Sequence, residues 1–71
     1  MMAEQVECRS EIGYAERPVA LIWEGKRLVV SEVLVSVHVP EGMRFRVQTE
    51  DSQVFELVYD QARDTWLVWQ I

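Results

Sequence analysis

The chain is predicted to be all-β, a five- to six-stranded antiparallel meander, and three observations predict it. From Pro18 onward, short runs rich in valine, leucine and aromatic residues alternate with turn-forming clusters, and no helical period of useful length interrupts them. Successive runs can be folded onto one another so that apolar side chains of both strands share a face. The long β-branched run from Arg27 to Val39 changes phase: Leu28 and Val30 are apolar at even positions, Val33, Val35, Val37 and Val39 at odd ones, with Ser31-Glu32 between. Side chains of a strand alternate faces with period two, so one straight strand cannot keep both sets in a single core. A bulge near Ser31-Glu32 restores the phase.

Residues 1–17 are polar and mixed, with Gln5 to Cys8 as a candidate edge strand and Gly13 as a turn before Tyr14. Residues 18–71 read as a single β domain. Its first hairpin joins Val19-Ala20-Leu21-Ile22-Trp23 to the long strand. A two-residue Gly25-Lys26 loop pairs Trp23 with Leu28 and Leu21 with Val30.

The second hairpin turns through Pro40-Glu41-Gly42, where proline presets the first corner and glycine accepts a positive φ. It sets Val39 against Met43, Val37 against Phe45 and Val35 against Val47. This places His38 on the outer face beside Arg44. The third hairpin, through Glu50-Asp51-Ser52, sets Val47 against Phe55, Phe45 against Leu57 and Met43 against Tyr59, with Ser52 in a slot that favours glycine. A polar loop, Asp60 to Asp64, leads into the last strand. That strand, Thr65 to Ile71, is apolar on both sides, so it is enclosed by a curled sheet or contacts another chain. A meander bent at Ser31-Glu32 folds into two sheet halves around one core, as in a small, SH3-like, partly open barrel.

With 71 residues, 49% of them hydrophobic and 27% charged, the chain has the balance of a globular protein near the lower size limit for a core without disulfides or metal. The longest uncharged stretch, Val33 to Pro40, is too short to span a bilayer, and the N-terminus lacks a signal-peptide pattern. With a single cysteine, Cys8, a reducing, cytoplasmic location is expected. The net charge of −5 has the wrong sign for a general nucleic-acid binder, so any such contact would need a local basic patch.

Catalytic chemistry has little to stand on. One histidine and one cysteine leave a metal site dependent on carboxylates, and no spacing proposes one. Glu50-Asp51 and Asp60 with Asp64 fall in turns, where acids commonly bond nearby backbone. Glu32, at the bend, is the one acid a bulge could aim at a site. No catalytic residue, cofactor or metal is assigned, and the chain is read as non-enzymatic.

Two surfaces remain as candidates. Arg44 and Arg46 alternate outward, with Arg46 opposite Glu56 and flanked by Ser36; together with Arg27 they form the candidate basic patch. Val54, Val58, Trp66 and Val68 form the candidate apolar interaction surface, suited to a protein partner or a second copy.

The stretch Glu16-Arg17-Pro18-Val19-Ala20-Leu21-Ile22-Trp23-Glu24-Gly25, followed by Phe45-Arg46-Val47-Gln48-Thr49-Glu50-Asp51, Phe55-Glu56-Leu57-Val58-Tyr59-Asp60 and then Trp66, resembles a family of small bacterial all-β domains of unknown function. The likeness spans about residues 16–69. It implies a compact β domain, in some members attached to proteins with a DNA-repair connection, and it assigns no catalytic residue. Ser52 stands where glycine is expected and Val37 where tryptophan is expected. The function expected from the sequence is thus an interaction module that self-associates as a homodimer or binds a protein partner, with a nucleic-acid-associated accessory domain as the alternative.

Overall fold

The computed structural model describes residues 6–10 and 16–71. Six strands follow one another as β1 (Val6–Ser10), β2 (Glu16–Trp23), β3 (Lys26–Val39), β4 (Gly42–Thr49), β5 (Val54–Asp60) and β6 (Thr65–Gln70). They form one antiparallel sheet in sequence order, curled into an open half-barrel without helices among the described residues. The expected fold is therefore the observed one. The N-terminal strand expected over Gln5 to Cys8 is present as Val6–Ser10, while Gln5 and the turn expected at Gly13 lie outside the described residues.

The phase change in β3 is a bulge, with the register to β4 shifting between Val30 and Glu32. Ser31 Oγ donates to the carbonyl oxygens of Gln48 at 3.0 Å and Thr49 at 3.2 Å. A hydroxyl thus bonds the β4 backbone where the regular ladder is interrupted. The Glu50 amide donates to the Val29 carbonyl at 2.9 Å, tying the β4–β5 turn to the same bend. Before the bend β3 pairs with β2 through Ala20 to Trp23; from Val30 onward it pairs with β4.

Leu21, Leu28, Phe45, Val47, Phe55, Leu57 and Val68 form the buried core, drawn from both halves of the curled sheet. Trp23 meets Phe55 edge-on across the core, with ring centroids 5.3 Å apart. Buried Thr49 is satisfied locally, accepting from the Gln53 amide at 3.2 Å and donating to the Asp51 carboxylate.

The third hairpin has the expected register throughout: Val47 faces Phe55, Phe45 faces Leu57 and Met43 faces Tyr59. Ser52 there has φ +68°, the left-handed conformation anticipated for that slot. The first hairpin differs by two residues, since its loop is Glu24-Gly25 rather than Gly25-Lys26. Leu21 faces Leu28 and Trp23 faces Lys26. Both loop residues have positive φ, 50° and 79°, the signature of a type I′ turn whose twist matches the flanking strands. A shift of two keeps every side chain on its expected face.

The second hairpin differs by one residue, and there the faces exchange. Pro40-Glu41 alone forms the loop, Val39 faces Gly42, and His38 faces Met43 instead of lying beside Arg44. Gly42 is needed inside the ladder: a Cβ at that position would overlap the Tyr59 carbonyl oxygen. A second bulge, between Val33 and Val35, absorbs the slip and returns Val33 to Val47 on the core face. Val35 and Val37 consequently point outward opposite Arg46 and Arg44, while Ser36 faces Phe45 rather than flanking Arg46.

Candidate functional site

On β4, Arg44 and Arg46 alternate with the buried Phe45 and Val47, so both arginines project from the outer face. Cross-strand register then builds two rows on that face. Val37, Arg44, Val58 and Leu67 form one; Val35, Arg46, Glu56 and Trp69 form the other. Glu56 lies between the arginines, only 8% exposed. Arg46 Nε donates to its Oε1 at 2.9 Å and Arg44 Nε to its Oε2. Burial alone would raise the Glu56 pKa, but the hydrogen bonds and positive charges of Arg46 and Arg44 outweigh it and hold the carboxyl below its ordinary value.

Arg27, the third member of the expected basic patch, lies in the β1–β3 half of the sheet. Its Nε and Nη2 donate to the two oxygens of Glu7, at 2.8 and 2.9 Å. The Glu7 pKa is lowered mainly by that bond. Each of the three arginines is thus engaged by a carboxylate, and Arg27 does not join the other two.

The four residues of the expected apolar surface are also divided. Val54 and Val58 lie on the outer face, but Trp66 faces Tyr59 on the inner one, and Val68 is 1% exposed in the core opposite Leu57. Leu67 and Trp69 take their place outside. The C-terminal loop decides this: Gln61 to Asp64 turn the chain so that Asp60 faces Thr65, and Asp64 adopts φ +53°, a conformation aspartate tolerates.

Two features were not anticipated. β2 accompanies β3 only as far as Val29, so from Glu32 to Val39 the β3 edge opposite β4 meets no strand among the described residues. Leu34, Val35 and Val37 on this segment are each 42% exposed. A signal for this existed in length, because the β3 run is far longer than the β2 run before it.

The other feature is a cavity of about 380 Å³ at the mouth of the half-barrel, near the end of β3. Met43, Phe45, Tyr59 and Trp66 line it, with His38, Gln61 and Asp64 on its walls. Trp66 is central, its ring centroid 5.1 Å from that of Tyr59 and 6.0 Å from that of Phe45. The Tyr59 hydroxyl donates to the Asp64 carboxylate. Cross-strand pairs Met43 with Tyr59 and Tyr59 with Trp66 bring this group together. Reading Trp66 as outward hid it from the sequence.

Cys8 is half-buried on β1, and Glu32, opposite Gln48, is exposed rather than directed into the cavity. Among the described residues, no group of three His, Cys, Asp or Glu side chains is placed to hold a metal ion, and no helix is long and apolar enough to cross a membrane. The fold and its surfaces define a small β module in which one edge of β3 has no strand neighbour among the described residues. No family model, curated protein or solved structure matches the chain.

Proposed function

We propose that this chain is a non-enzymatic protein-interaction module whose docking element is the uncovered edge of β3, and that its partner is a second copy of the chain. One observation carries the reading: Leu34, Val35 and Val37 are exposed along a strand segment with no neighbour on one side among the described residues. Such an edge presents backbone donors and acceptors that another strand can complete. The segment is also suited to itself. An antiparallel pairing about a two-fold axis at Ser36 sets Val35 against Val37 of the second copy, twice, on the same outer face. Residues 33–39 contain no Asp, Glu, Lys or Arg, so two chains of net charge −5 would meet where like charges are absent.

The alternative, a nucleic-acid-associated accessory domain using Arg27, Arg44 and Arg46, has less support. Those arginines are occupied by Glu7 and Glu56, which reduces the charge available to phosphates.

Sedimentation over a wide concentration range tests the proposal. Wild type is expected to dimerise, while Val37→Lys, at an exposed edge position, remains folded and monomeric. A wild type that stays monomeric at its highest soluble concentration would sink the self-association reading; a lysine variant that still dimerises would move the contact away from this edge.

A further inference from the structure

The geometry points to a second recognition element: the aromatic cavity formed by Phe45, Tyr59 and Trp66, with Asp64 at its wall, binds a quaternary trimethylammonium group. Tyr59 and Trp66, both half-buried, supply the accessible rings of the concavity, and the buried Phe45 lines its floor against Trp66. A cation against such rings is attracted by their quadrupoles, and the attraction is greater where water is partly excluded. Asp64 adds a full negative charge, and the chain's net charge of −5 favours approach of a cation.

The preference for a quaternary cation follows from the largely aromatic and apolar lining, Met43, Phe45, Tyr59 and Trp66. A primary ammonium loses strong hydration on entry and has three N–H donors to satisfy. Asp64, which already accepts the Tyr59 hydroxyl, is the carboxylate on the cavity wall, and Gln61 and His38 are the other polar side chains lining it besides Tyr59. A trimethylammonium group has no N–H donor, presents methyl groups to the rings and keeps its charge near Asp64. The volume of about 380 Å³ falls in the range of small-ligand pockets.

Choline is the probe for the free ligand, and a peptide carrying trimethyl-lysine is the probe for the same group on a chain. Neohexanol, which replaces the choline nitrogen with carbon, is the uncharged control. The readout is the indole N–H resonance of Trp66, followed by NMR titration. Choline or the peptide is expected to shift that resonance with affinity at least about 5-fold above neohexanol, the ratio of a modest cation–π contribution. Binding by choline assigns the free ligand; binding by the peptide alone assigns a modified protein. Asp64→Asn, which tolerates the left-handed backbone there, is expected to weaken the charged probe and leave neohexanol unchanged. Equal affinity for neohexanol, or no shift with either charged probe, would overturn the proposal. Dimerisation through β3 is read separately by sedimentation and stands or falls without it.

Discussion

Ser31 Oγ lies 3.0 Å from the Gln48 carbonyl oxygen, at the point where β3 passes from its pairing with β2 to its pairing with β4. The serine side chain is small and polar enough to bond the opposing backbone from within the bulge. Ser31→Ala removes this bond and the weaker one to Thr49. The expected loss is about 1 kcal/mol, the net worth of one ordinary hydrogen bond, because Ser31 is exposed and the Thr49 carbonyl keeps the Ser52 amide as a donor. Urea unfolding checks it, as a lower midpoint at unchanged m; an unchanged midpoint would mean that the bend is held by strand pairing alone.

Ser52 provides the opposite case, a residue in the wrong conformation for its type. Its φ of +68° brings Cβ close to backbone, although its amide still closes the turn on the Thr49 carbonyl at 3.0 Å. Ser52→Gly removes that strain but adds freedom to the unfolded chain. The net gain is expected to be about 0.5 kcal/mol, or a rise of a few degrees in Tm. Thermal unfolding that showed no rise, or a fall, would indicate that the serine side chain contributes to the loop.

Glu56 couples stability to pH. Its pKa is lowered in the fold, so its contribution is complete above the ordinary carboxylate range and disappears as pH falls through the depressed value. Both arginines are nearly half exposed, which screens the attraction and limits the expected cost of Glu56→Gln to about 1 kcal/mol at neutral pH. Stability measured against pH is expected to separate the two proteins at neutrality and bring them together in acid. A gap that persists in acid would assign the effect of Glu56 to packing.

Legibility from sequence followed the physics of alternation. Apolar patterning specifies which face a side chain takes, so the β4–β5 register and the bulge at Ser31 were legible from valine, phenylalanine and leucine positions alone. It does not distinguish registers that differ by two, which is why a Gly25-Lys26 turn fits the pattern of Leu21 and Trp23 although the chain turns at Glu24-Gly25. It misleads where apolar residues are not buried. Val35 and Val37 fit an inward pattern, yet the second bulge places them outside, and with that slip the surroundings of His38 and Arg46 changed too. At β6 both faces are apolar, so the pattern carried no preference, and the loop from Gln61 to Asp64 decided between Trp66 and Trp69.

These two tryptophans therefore give a direct comparison of the faces. Trp66 packs against the core and against the rings of Tyr59 and Phe45, whereas Trp69 is 38% exposed opposite Glu56. Trp66→Ala is expected to cost about 3 kcal/mol, the lower part of the range for removing a large aromatic from a core, because Trp66 is only partly buried. Trp69→Ala is expected to cost less than about 1 kcal/mol, since most of what it removes is outer-face contact. Denaturant unfolding of both variants decides the assignment. If Trp69→Ala were the more damaging, the last strand would present the other face to the core, and the aromatic cavity would lose its central ring.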